Sequence, residues 1–265
     1  MRTATALFLA FQGLVMFLGP LARANGGEVG RDAGMIFPLE SDSVQLVSEN
    51  LYISLPPLHG KGKAQCSYVL RNLAGSPRAF DMAFVTNDPW PLSAKDYGAL
   101  YRGANFHVQH GKEYVPFHLE ALDKPRWAHL LGEPPDSLPI WHVSMRAKDT
   151  IELSMSYDVE WSGPGVSVDA DADSEYVSFT FAYHAAPASL WAGRIESAHI
   201  EFYFEDVLLP HILECVAETH ACVSVDIQPP GYQWHSTFLS WDMKDWEPTT
   251  DLSIAIAWWN RHEPR

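Results

Sequence analysis

Apolar and polar residues alternate one for one along most of this chain, the pattern a β-strand writes when one face is buried and the other is wet. In IELSMSYDVEW, Ile151, Leu153, Met155, Tyr157, Val159 and Trp161 share one face, while Glu152, Ser154, Ser156, Asp158 and Glu160 share the other. YVSFTFAY aligns Val177, Phe179, Phe181 and Tyr183, and SAHIEFYFE aligns Ala198, Ile200, Phe202 and Phe204. These three segments are expected to be antiparallel neighbours. Further strands are expected at 44–46, 51–55, 65–71, 80–85, 105–108, 114–119, 141–146, 223–227, 236–241 and 252–258. Pro and Gly punctuate the gaps, as short β-connections require.

Helical signal is thin. LSAKDYGALYRG predicts a turn or two of helix near Ser93, and KPRWAHLLG another, closed by Gly132. The fold class is therefore all-β, an antiparallel β-sandwich. The proline-rich stretch GEPPDSLP divides it near residue 135 into an N-terminal half, 25–134, and a C-terminal half, 135–265. One extended sandwich would be written almost the same way. No repeat of fixed period is visible, which argues against a propeller or solenoid.

The amino terminus changes the picture. Arg2 precedes an apolar run from Ala4 to Leu18, followed by Gly19-Pro20 and the small-residue pattern Ala22-Arg23-Ala24. Residues 1–24 read as a secretory signal peptide, cut after Ala24. The run is shorter than the roughly 20 residues a spanning helix needs. Residence in the bacterial periplasm or outside the cell is expected, with no transmembrane segment after cleavage.

Charge narrows the partners. With 18 basic against 33 acidic residues the formal charge is −15, and loss of Arg2 and Arg23 would make it more negative. Nucleic acid and anionic headgroups suit such a surface poorly. Cysteine usage agrees with export, because Cys215 and Cys222 in ECVAETHAC are spaced to staple a short loop by a disulfide. Cys66, within the alternating AQCSYVL, reads as a buried, unreactive thiol.

Candidate chemistry is sparse. Asp169, Asp171 and Asp173 alternate in VDADADSE and are the only weak metal candidates. An EF-hand loop needs Gly at its sixth position and a carboxylate at its twelfth, where this segment has Ser174 and Thr180, so a solvated hairpin tip is the better reading. His107 and His110 would face opposite sides of a strand, whereas His184 and His199 could approach across a hairpin. Glu49, Glu113, Glu120, Glu196 and Asp251 offer carboxylates without a spacing that pairs any two. There is no nucleophile elbow, phosphate loop or HExxH, and no cofactor motif. Among the ten tryptophans, Trp90, Trp191 and Trp246 fall in expected loops, where an indole either folds back over a sheet edge or stacks on a ligand.

The segments GMIFPLESDSVQLVSENLYISL, CSYVLRNLAGSPRAFDMAFV, YHAAPASLWAGRIESAHIEFYF and WEPTTDLSIAIAW together resemble an exported bacterial family, domain of unknown function 4424. The resemblance runs through a strand ending at Asn72, a Trp191-Gly193 hairpin, and a final strand introduced by Pro248 and Asp251; FVTNDP stands where the family has FP. It implies residence in the cell envelope and a β architecture, and carries over no site. The first half also resembles the β-sandwich beside von Willebrand type A domains. The reading is an exported, non-catalytic β-sandwich that recognises an envelope protein or glycan near Trp90, Trp191 and Trp246. Two alternatives are an envelope hydrolase of glycan or peptide using loop carboxylates, and a weak ion-binding protein.

Overall fold

The computed structural model describes residues 33–39, 43–55, 61–85, 105–121, 123, 137–159, 162–168, 174–204 and 222–261. The leader, Trp90, the segment around residue 135, both expected helical turns, Asp169, Asp171, Asp173 and Cys215 lie outside them, as does the side chain of Cys222. The first eight strands are β1 (Ala33–Pro38), β2 (Val44–Leu55), β3 (Gly62–Asn72), β4 (Arg78–Val85), β5 (His107–His110), β6 (Glu113–Tyr114), β7 (His118–Ala121) and β8 (Ser137–Met145). The remainder are β9 (Thr150–Val159), β10 (Ser162–Val168), β11 (Ser174–His184), β12 (Ile195–Phe204), β13 (Cys222–Gln228), β14 (Gln233–Trp234), β15 (Phe238–Trp246) and β16 (Leu252–Arg261).

They form two sheets. Sheet 1 runs β13-β16-β11-β1-β4-β8-β7, with β10 also paired to β11, and sheet 2 runs β14-β15-β12-β2-β3-β9-β5-β6. The expected all-β sandwich is thus present, with two corrections to its wiring. Both sheets are mixed, because β1 runs parallel to β11 and β12 parallel to β2. The segments expected as three neighbours, now β9, β11 and β12, are not paired with one another: β9 and β12 lie in sheet 2 and β11 in sheet 1. Period-two patterning fixes which side chains are buried, but says nothing of which strand lies beside which.

The division near residue 135 also gives way. Strands from before and after it pair directly in both sheets, β3 with β9 and β2 with β12 in one, β1 with β11 and β4 with β8 in the other. One core cluster joins Leu51, Ile53, Leu70 and Phe84 to Leu153, Phe181, Phe202 and Trp241. The described strands make one extended sandwich.

Inside it, Phe202 of sheet 2 receives Phe181 of sheet 1 edge-on at 5.4 Å and packs against Trp241 at 5.1 Å. β2 explains why 44–46 and 51–55 read as separate strands. Its register against β3 shifts between Leu46 and Ser48, a β-bulge that moves the inward set from Val44 and Leu46 to Glu49, Leu51, Ile53 and Leu55. Glu49 thereby faces the core.

Sheet 1 is buried on both faces near its centre: Phe37, Ala83, Val85, Leu138 and Ile140 make a second apolar cluster. β1 also packs too closely for any side chain at Gly34, where a Cβ would stand 1.5 Å from the Val85 carbonyl oxygen. The Tyr157 hydroxyl accepts from the Gly34 N–H at 3.0 Å and donates to its carbonyl at 3.2 Å, tying sheet 2 to β1.

Candidate functional site

Trp191 is not a surface contact. It is 3% exposed, donates its indole N–H to the Ile36 carbonyl at 3.2 Å, and meets Phe80 edge-on at 6.4 Å. A 3₁₀ turn, Ala186–Leu190, delivers it, and Asp251 holds that turn by accepting from the N–H groups of Ala185 and Ala186 at 2.9 and 3.3 Å. Gly193 then turns the chain into β12 with φ of +72°, a region where L side chains are strained. Trp191, Gly193 and Asp251 are therefore parts of one structural hinge. Trp246 is half-buried and packs against the core from the end of β15.

Other expected residues disperse. His107 and His110 are exposed on β5. His184 and His199 lie in different sheets, each with its own carboxylate: His184 Nδ1 is 2.8 Å from Asp251 Oδ2, and His199 Nδ1 is 2.7 Å from Asp242 Oδ1. Asp251 is half-buried, which opposes its charge, yet His184 and the two backbone N–H groups outweigh this and hold its carboxyl below the usual range. Glu196 pairs with Arg71 at 2.8 Å, Glu120 neighbours His118 at 3.4 Å, Glu113 is exposed on β6, and Glu49 is in the core. A groove lined by Pro77, Arg78, Ala79, Ser144, Met145 and Arg146 contains two arginines and no carboxylate. Among the described residues no group of three or more His, Cys, Asp or Glu is placed to hold a metal ion. Cys66 is unpaired and 4% exposed, and burial pushes its thiol well up, away from the nucleophilic thiolate.

The arrangement that sequence reading missed is the outer face of sheet 2. Registers bring outward positions into rows across the strands. One row runs Asp242, His199, Asn50, Ser67, Ser154 and Gln109, from β15 to β5. Beside it run Ser240, Glu201, Tyr52, Gln65, Ser156 and His107. Most of these residues read as the wet half of an alternating strand, whereas Asn50, Gln109 and Asp242 fall just outside the expected strands 51–55, 105–108 and 236–241. Their adjacency depends on the parallel β2 and β12 pairing, which no local pattern encodes.

At one side of this face the polar groups are locked. His199 Nε2 donates to Glu201 Oε1 at 2.8 Å, and the Tyr203 hydroxyl donates to Glu201 Oε2 at 2.5 Å. Partial burial opposes the charge on His199, but Asp242 and Glu201 outweigh it and raise its pKa; with a carboxylate at each ring nitrogen, both nitrogens donate when the ring is the imidazolium. The Glu201 carboxylate pushes Tyr203 up to about 12. Tyr52, 42% exposed, meets the His199 ring edge-on at 6.1 Å, while Tyr203, Phe238 and His235 stack successively at 4.8 and 4.1 Å. The result is a preformed polar surface with a projecting aromatic ring.

Beneath it lies a second polar group, closed to solvent. Glu49 is 1% exposed and receives a short hydrogen bond from the Tyr183 hydroxyl; its Oε2 and the hydroxyl of Tyr68, its register partner on β3, are buried without a hydrogen bond among the described residues. Burial raises the Glu49 carboxyl to about 7, against the lowering effect of Tyr183, and pushes Tyr68, Tyr157 and Tyr183 well above the ordinary phenol range.

No family model matches the chain. A candidate nutrient-binding protein from Legionella pneumophila is 14% identical and superposes with a TM-score of 0.61 over 88% of this chain and 72% of that one, a likeness of fold. Native leukotriene A4 hydrolase from Saccharomyces cerevisiae, 10% identical, gives a TM-score of 0.38 over 83% of this chain and 30% of that one. Among curated sequences, the reducing polyketide synthase AFT16-1 of Alternaria alternata is 27% identical over 193 residues, 67% of this chain. The chain spans only 8% of that relative's length.

Proposed function

We propose that the protein is an exported, non-catalytic β-sandwich of the bacterial cell envelope, and that its partner docks on the outer face of sheet 2. The observation that carries this reading is the juxtaposition of Tyr52 with the locked His199, Glu201, Tyr203 and Asp242 network on an open sheet face. A network with its hydrogen bonds already made presents fixed geometry, and preorganisation lowers the ordering cost of binding. The carboxylates considered for hydrolysis lie apart, on separate elements. Likeness of fold to a candidate nutrient-binding protein supports a binding role, and among the described residues no helix is long and apolar enough to cross a membrane. The leader and the resemblance to domain of unknown function 4424 support export.

Two measurements test this. Fractionation of a bacterial host, with mass analysis of the mature chain, is expected to recover protein beginning at Asn25 outside the cytoplasm. A photoreactive residue at position 52 is expected to capture a partner that the same residue at exposed Val225, on sheet 1, does not capture. Equal capture at both positions, or none at either, would refute the docking face.

A further inference from the structure

The centre of this face breaks a rule of strand composition. Asn is depleted in strands, yet Asn50 stands mid-strand among Ser54, Gln65, Ser67, Ser154 and Ser156 at outward positions on the adjacent β2, β3 and β9. A solvated surface ordinarily carries a quarter or more charged residues, and this chain has 33 acidic residues to place. They stand around this centre instead: Glu152 exposed on β9 next to Ser154, Asp158 beside Lys63 toward the other end of β9 and β3, and Asp242 and Glu201 against His199 toward β15. A local preference set aside with no gain in packing is expected where function demands it.

The chemistry of those positions narrows the occupant. Hydroxyls and carboxamides both donate and accept, so their best match is a ligand whose own uncharged groups do the same. Carboxylate or phosphate ligands would call for unpaired cations among these positions and ammonium ligands for unpaired anions, whereas His199, Asp242 and Glu201 are engaged with one another. A protein partner is also a poor match, because the cores of protein interfaces are depleted in Ser and enriched in several aromatic types. This centre is rich in Ser and has one strongly exposed ring, Tyr52. A tyrosine ring offers an apolar face with a polar tip, which suits the apolar C–H face of a sugar ring with hydroxyls at its rim. The row from Asp242 to Gln109 crosses six strands, about 24 Å at ordinary strand spacing, room for several sugar rings.

We propose that the outer face of sheet 2 binds an uncharged polysaccharide chain laid across the strands, with one sugar ring stacked on Tyr52 and its neighbours hydrogen-bonded by Asn50, Gln65, Ser67 and Ser154. This rests on the docking face proposed above and gives its occupant a chemistry.

Purified protein is sedimented with insoluble cellulose, chitin and starch, and separately titrated with soluble dextran and with anionic polygalacturonate. Binding to at least one neutral polymer is expected, weakened at least tenfold by Tyr52→Ala and by Asn50→Ala, and unchanged by Val225→Ser on sheet 1. Thermal melts of each variant identify any loss due to unfolding, and Gln65→Ala, at an exposed position, provides a further arm. Binding to no neutral polymer, preference for polygalacturonate, or neutral binding indifferent to Tyr52→Ala and Gln65→Ala would overturn the proposal. Capture of a protein at position 52 without neutral-polymer binding would overturn the polysaccharide and leave the docking face standing, whereas absence of both would remove both.

Discussion

Tyr183 of sheet 1 donates its hydroxyl proton to the carboxyl of Glu49 of sheet 2, across the middle of the core. The bulge in β2 puts that carboxyl there, and burial raises its pKa from 4.5 to about 7. The folded state therefore holds a proton that the unfolded chain releases above about pH 4.5. Stability should fall as pH rises between about 4.5 and 7 and then level off, a loss on the order of 3 kcal/mol. Glu49→Gln is expected to flatten denaturant midpoints across that window and to leave the protein more stable than the parent at pH 8. Tyr183→Phe removes the interaction that lowers the carboxyl's pKa, and should carry the fall to higher pH. Urea titrations from pH 4 to 9 check both. An unchanged slope in Glu49→Gln would assign the pH dependence to other groups.

Asn72 makes a comparable case at the sandwich's edge. Fully buried at the end of β3, it donates to the carbonyls of Ser76 and Arg146 at 3.0 and 2.8 Å, and its Oδ1 accepts from the Ala74 N–H at 2.9 Å. One amide thus closes the turn after β3 and fastens it to the turn after β8. Asn72→Ala leaves those backbone groups unpaired and should cost about 2–3 kcal/mol in urea unfolding. Asn72→Asp keeps the acceptor but buries a charge among carbonyls, and is expected to be worse than alanine at pH 7 and to recover partly at pH 4.

What could be read in advance follows the range of the interactions. The inward faces of β3, β9, β12 and β16 were legible because burial imposes period two on contiguous residues. β10 has no strand signature to read, because SGPGVSV contains Gly163, Pro164 and Gly165; it pairs with β11, with a register irregularity between Ser162 and Gly165. β1 was short and apolar on both faces, which gives no alternation to read. The candidate face was invisible for another reason. Asn50, Ser67 and His199 are far apart in the chain, and only the lateral order of β12, β2 and β3 makes them neighbours.

Trp191 shows the converse, a loop indole that reads both as folded back over the sheet and as a ligand contact, and whose surroundings bury it. Trp191→Ala should cost about 3–5 kcal/mol through the cavity left against Phe80. Trp191→Phe keeps much of the packing and loses the bond to the Ile36 carbonyl, about 1 kcal/mol. Thermal melts should therefore rank the parent above phenylalanine and phenylalanine well above alanine. Asp251→Asn should weaken the same hinge by losing the His184 ion pair while keeping an acceptor for the turn.

His199 offers a titration local to the docking face. Asp242 at 2.7 Å and Glu201 at 2.8 Å hold both ring nitrogens as donors, and its pKa stands above the ordinary 6.5. Because the folded value is the higher one, this clamp contributes fully below pH 6.5 and is lost as pH rises through the folded pKa. That window opens at pH 6.5, inside the upper end of the one set by Glu49, so it is read in Glu49→Gln, where the Glu49 contribution is absent. Ring resonances followed by NMR should give His199 the raised midpoint, and Asp242→Asn should lower it. Asp242→Asn should also slacken the orientation of Tyr52, which rests edge-on against this ring, without unfolding the sheet. If the midpoint stays where it was in Asp242→Asn, the ring is not clamped in solution and the face around Tyr52 is not preformed.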